Sequence, residues 1–248
     1  MSQHTIVDIV RTVARRVNIN SNFSSVVGST DPQITNMLYL AEQEGQELAS
    51  RYPWQVLTKE ASFTSLATSL QGTIDQAGST ILPESENYDY IINDTMWNRT
   101  QRIPVLGPNT PETWQARETM GVTGPYPRYR IRGNEVYFLP APVTAGDTIT
   151  FEYYTKNWIY QETGDVYKET FTDDTDTPIL DTRLIILGTV WRWKHARGLE
   201  YGQDFDTYER AVADKTSRDG PKPILTLDGE PQDTIAPVAV VPTGNWTL

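Results

Sequence analysis

The stretch GTVWRWKHARGLEYGQDF, residues 188–205, gathers two tryptophans, three permanent cations and one of the two histidines of the chain. Such a set could serve three kinds of chemistry: a histidine acid or base, a cationic aromatic grip on nucleic acid, or a packed helix that ends in positive charge. Catalysis fits least, because no nucleophile stands near His195 in a recognisable pattern. Arg192, Lys194, His195 and Arg197 fall in the last turns before Gly198. Cations there complement the partial negative charge of a helix C-terminus by a few tenths to about 1 kcal/mol. Trp191 shares a stripe with Leu184 and Leu187, so a packed helix is the favoured reading. Trp193 lies about 200° further round and is expected to face a neighbouring element or a second subunit. Trp193 and Arg197 are therefore interface candidates.

A second charged pattern is RYRIRGNEVYFLPAP, residues 128–142. Arg128, Arg130 and Arg132 point one way, Tyr129 and Ile131 the other, and Gly133-Asn134 turns the chain into Val136 and Phe138. The arginine ladder fits a solvated sheet face, with a contact to phosphate or to an acidic partner as the sharper alternative. Asp173, Asp174 and Asp176 look like calcium ligands. Counting from Asp174, however, Ile179 stands where an EF-hand needs glycine and Ile185 where it needs a bidentate glutamate. A solvated acidic turn is expected, and no metal.

Two histidines cannot form HExxH, and GxGxxG, GxxxxGK and GxSxG are missing. Zero cysteines exclude disulfides, thiolate zinc sites and cysteine nucleophiles. No cofactor and no enzymatic activity are expected. A glycosidase built on two of the 32 acidic residues is the residual catalytic reading. The 32 acids against 21 bases give a net charge of -11, so the surface as a whole repels polyanions and any DNA contact is local. The longest purely aliphatic run is 184–187, so neither a signal peptide nor a membrane anchor is expected.

The elements that must carry these residues follow from periodicity. Ile6, Ile9, Val10, Val13 and Val17 predict a helix over 3–17. Asp31-Pro32 caps a second helix bearing Ile34, Met37, Leu38, Ala41, Gly45, Leu48 and Tyr52, ended by Pro53, with Gly45 marking a close helix approach. From about 56 the period becomes alternating, interrupted by a short helix from Thr110-Pro111 to Gly121. Helical spacing returns after a second cap-plus-proline signal at Thr177-Pro178, and 203–217 forms the last helix. The expected fold is α+β: a discontinuous helical bundle from 1–55 and 178–218, an inserted antiparallel β domain over 56–177, and an extended arm over 219–248. That arm holds five prolines and no helical period. Its apolar residues Ile224, Leu225, Leu227, Val238, Val240, Val241 and Trp246 suit docking on another surface, as by strand addition.

The order of parts resembles the head-to-tail adaptor, or connector, proteins of tailed bacteriophages, especially short-tailed ones. The resembling pieces are the N-terminal helix, LYLAEQEGQELASRYPWQVLTKEASFTS, ILPESENYDYIINDTMWNRT and LIILGTVWRWKHARGLEYGQDFDTYERAVADK, within residues 1–218. The resemblance implies a structural protein of the virion neck, assembled in the host cytoplasm into a homo-oligomeric ring of twelve. Such a ring sits beneath the portal, meets tail nozzle or fibre proteins, and lets double-stranded DNA pass without specific binding. Its helices would line the channel, its β domain would face outward or tailward, and the arm would reach the portal or a neighbour. The aromatic β region supports an alternative, a carbohydrate-binding or fibre-attachment module of a phage tail.

Overall fold

A computed structural model of the chain describes residues 4–121 and 124–220. In chain order it contains α1 (Ile6–Arg16), α2 (Pro32–Arg51), β1 (Thr58–Thr64), β2 (Leu70–Gln76), β3 (Leu82–Pro83), β4 (Tyr88–Ile91), β5 (Trp97–Asn98) and β6 (Ile103–Pro104). There follow α3 (Pro111–Met120), β7 (Arg128–Arg132), β8 (Glu135–Leu139), β9 (Thr148–Thr155), β10 (Ile159–Gln161), β11 (Val166–Lys168), β12 (Thr177–Pro178), α4 (Thr182–Ala196) and α5 (Gly202–Asp219). The fold is α+β, with helices at both ends of the described chain and strands between. The chain forms two compact units, one of Met1–Lys59, Asp75–Tyr90 and Tyr153–Gly220, the other including Glu60–Ile74 and Ile91–Glu152. Each passage between them falls inside a strand.

The helical unit starts where its capping residues dictate. Asp31 accepts the Gln33 N–H at 2.8 Å with Pro32 in the first turn, where a missing N–H costs nothing. Thr177-Pro178, which the sequence offered as a second such start, is instead β12. It pairs with β10 through Ile159↔Pro178 and Tyr160↔Thr177, at the edge of a three-stranded sheet where proline's lost donor is tolerated. The true cap of α4 is Asp181, which accepts the Arg183 N–H at 2.9 Å. Helix α4 packs against α1, α2 and α5, and its buried positions run from Leu184 and Ile185 through Gly188, Thr189 and Val190 to Trp193. A helix covered on several sides has no single apolar stripe, so a stripe argument misassigns its residues.

Gly45 does admit a close neighbour, but the neighbour is an indole and not a helix. A Cβ at Gly45 would lie 2.1 Å from the Trp158 ring, and Trp158 is fully buried with Phe171 edge-on at 5.2 Å. The close helix approach is at Gly188, where a Cβ would lie 2.1 Å from Cδ of Glu44. The acidic turn is solvated only in part, with Asp173 exposed. Asp176 is fully buried, accepts the N–H groups of Thr172 and Asp173, and pairs with Lys168 at 2.7 Å. Asp174 accepts the N–H groups of Val26 and Val27, each at 2.8 Å, tying the loop before α2 to the loop between β11 and β12. Buried backbone donors need such partners, and these carboxylates supply them.

In the second unit, β7 and β8 form the expected hairpin in the register Arg128↔Leu139 to Arg132↔Glu135, turning at Gly133 with φ 61°. They belong to a four-stranded sheet ordered β3-β2-β8-β7; a second sheet joins β1, β9, β5 and β6, with β4 on β9. Phe63 sits between Phe138 and Phe151, with ring centroids 6.2 and 6.1 Å away. Thr110 caps α3 and Gly121 ends it in the left-handed region, φ 63°.

Candidate functional site

The basic aromatic stretch of α4 divides into an interior half and a surface half. Arg192 donates from Nε to Glu44 at 2.7 Å and from Nη2 to Glu47, clasping α4 to α2. Glu44 is fully buried; burial pushes its carboxyl above the ordinary carboxylate range, against the lowering effect of the adjoining Tyr208 hydroxyl and of Arg192. Lys194 pairs with Asp204 of α5, and Arg51 of α2 grips Glu209 of α5 through two bonds of 2.8 and 2.5 Å. These cations are structural clasps between helices, and the chemistry of the stretch is thereby largely used up inside the chain.

Trp193, expected at a neighbouring element or subunit, is an interior residue at 2 % exposure, with the guanidinium of Arg197 capping its ring at 4.5 Å. Trp191 is the half-exposed one. It meets Phe205 at 5.2 Å and Tyr201 at 6.3 Å, and His195 packs on Tyr201 at 4.9 Å. Leu199, Tyr201 and Phe205 complete an exposed aromatic and aliphatic patch at the α4–α5 turn. His195 is solvent-exposed within it, and its ring contacts are with Trp191 and Tyr201. Among the described residues no group of histidine and acidic side chains could hold a metal ion, and no helix is long and apolar enough to cross a membrane.

The arginine ladder of β7 survives as one face, but unequally solvated. Arg128 and Arg130 are half-buried, and Arg132 is exposed with its guanidinium over the Tyr137 ring at 4.4 Å. Burial, and then the nearby Arg117, push the Arg128 guanidinium below its usual range. Among the described residues none of these three arginines is in a salt bridge. Of the β-region aromatics, Phe63, Tyr129, Phe138 and Phe151 are buried, while Tyr90 and Tyr167 are exposed. Ile224, Leu225, Leu227, Val238, Val240, Val241 and Trp246 lie outside the described residues.

Sequence reasoning missed Glu44, although a signal was present. Ile34, Met37, Ala41, Glu44 and Leu48 follow the three-and-four spacing of one buried helix face, and Glu44 is the charged member of that series. No curated protein matches the chain. The SU10 adaptor protein family model matches residues 5–221, nearly all of the described chain. This chain belongs to the SU10 adaptor protein family, structural proteins of bacteriophages that act as head-to-tail adaptors in the virion neck, between portal and tail components.

Proposed function

We propose that twelve copies of this chain form a ring beneath the portal of a short-tailed phage, joining it to the tail nozzle and continuing the DNA channel. The observation that carries the reading is the family match across both compact units. The charge pattern supports it from two sides. An excess of 11 negative charges repels the phosphate backbone and keeps DNA from sticking by counterion release as it passes. The half-buried arginines of β7, which have no ion pair among the described residues, are available to carboxylates of a neighbouring subunit or of a tail protein. A head-to-tail contact of that kind closes into a ring when its rotation does.

The arm over residues 219–248 serves, through its distal part, as a contact to the portal or to a neighbouring copy. Electron microscopy of the full chain mixed with the portal is the test: a twelve-fold collar on the portal is expected, and a chain that never associates with portal overturns the reading. The channel wall is expected to be mainly acidic; a map with a mainly basic inner surface contradicts that part alone.

A further inference from the structure

We propose that an apolar groove at the end of α5 is the seat of Ile224, Leu225 and Leu227 of the same chain. The groove, about 800 Å³, is lined by Leu48, Trp54, Val56, Ile179, Leu180 and Leu184 together with polar residues that include His4, Asp181, Arg183 and Lys215. Val56 is half exposed on it, an apolar side chain left to water although the core of the same unit lies beside it. Asp219, the last residue of α5, also lines the groove and accepts the Gln55 N–H at 2.9 Å. That bond pins the end of the helix beside Val56. Gly220 then leaves the helix extended, with φ -80° and ψ 159°.

What comes next in the chain is PKPILTL, residues 221–227. Prolines at 221 and 223 favour an extended exit and carry no backbone donor that would need a partner. At about 3.1 Å per residue Ile224 is within about 12 Å of Gly220, so the first aliphatic side chains after the helix reach the groove without a long loop. A tether this short gives a local concentration in the millimolar range, which favours the chain's own segment over that of a second copy. The inference does not depend on the ring: it would leave residues 228–248 as the part of the arm free for a partner.

The chain has no cysteine, so an introduced pair reports alone. The variant Val56→Cys with Leu225→Cys, in the full chain under mild oxidation, is expected to form an intramolecular disulfide. Leu199→Cys with Leu225→Cys is the control, because α5 spans 18 residues, about 27 Å, between Leu199 and Gly220. Trapping roughly ten-fold faster than the control is expected, read on non-reducing gels and by mass spectrometry. Adding Ile224→Asp and Leu227→Asp to the Val56 pair should bring the rate down to the control. Three results overturn the proposal: a rate no faster than the control, trapping that the two aspartates leave unchanged, or a covalent dimer whose yield rises with concentration. Circular dichroism of each variant separates loss of the seat from loss of the fold.

Discussion

The cations of α4 and those of β7 are used in opposite ways. Arg192 and Lys194 are each matched to a carboxylate on an adjoining helix, and one of those carboxylates is fully buried. Arg128 and Arg130 are half-buried on a sheet face and have no ion pair among the described residues. In a chain with more acid than base, a paired cation holds the fold together, while an unpaired one keeps its attraction for something else. Location in the sequence did not separate the two classes, since both sit in basic, aromatic stretches. Their partners do.

Four experiments test that contrast, the strongest first. Gly188→Val places a side chain where the Glu44 carboxylate lies, and a loss of about 3 kcal/mol or more is expected in urea unfolding. Arg192→Leu leaves Glu44 buried without its cation. The cost is expected near 3–5 kcal/mol, with most of it recovered when Glu44→Leu is added; an additive double variant would mean the pair is not a unit.

Acid comes next. Burial alone would raise the Asp181 carboxyl, but the bonds from Lys215 and the Arg183 N–H outweigh it and hold it below 3.8. Its contribution is therefore present above that pH and lost as pH falls through the lower folded value. Asp181→Asn keeps a capping side chain and removes the charge. It should lose about 1 kcal/mol or less at pH 7, the gap from the parent closing toward pH 3. Glu44 has the opposite sign: with its folded pKa raised, its ionisation costs stability above that pKa, and acid relieves the cost. The smallest change in stability, within about 0.5 kcal/mol, is expected for Arg128→Gln with Arg130→Gln. If that variant still joins the portal as well as the parent does, the sheet arginines are not contacts.

Much of the fold was legible because it rests on local signals. Asp31-Pro32, Thr110-Pro111 and the Gly133-Asn134 turn each act through neighbours a few residues away, and each appears where expected. Thr177-Pro178 carried the same local signal and failed. Its fate was decided by pairing with Ile159 and Tyr160, which no window around residue 177 contains. Trp191 was legible only in part for a similar reason: packing of α4 against three other helices removed the single stripe on which it had been placed with Leu184 and Leu187, and left it half-exposed. Trp158 over Gly45, and Asp174 on the amides of Val26 and Val27, likewise depend on contacts distant in sequence. The family resemblance rested on helix boundaries and aromatic positions, the local features, and so it survived errors about which side chain faces where.

The notch at Gly188 has a mechanical corollary. A carboxylate seated in a side-chain-free gap behaves as a key in a slot: sliding α2 along α4 by one turn, about 5.4 Å, would drive it onto Leu184. An ion pair of this kind gives the two helices one permitted alignment. In the proposed ring, through which a genome would thread, resistance to slippage between neighbouring rods would matter more than how tightly they adhere.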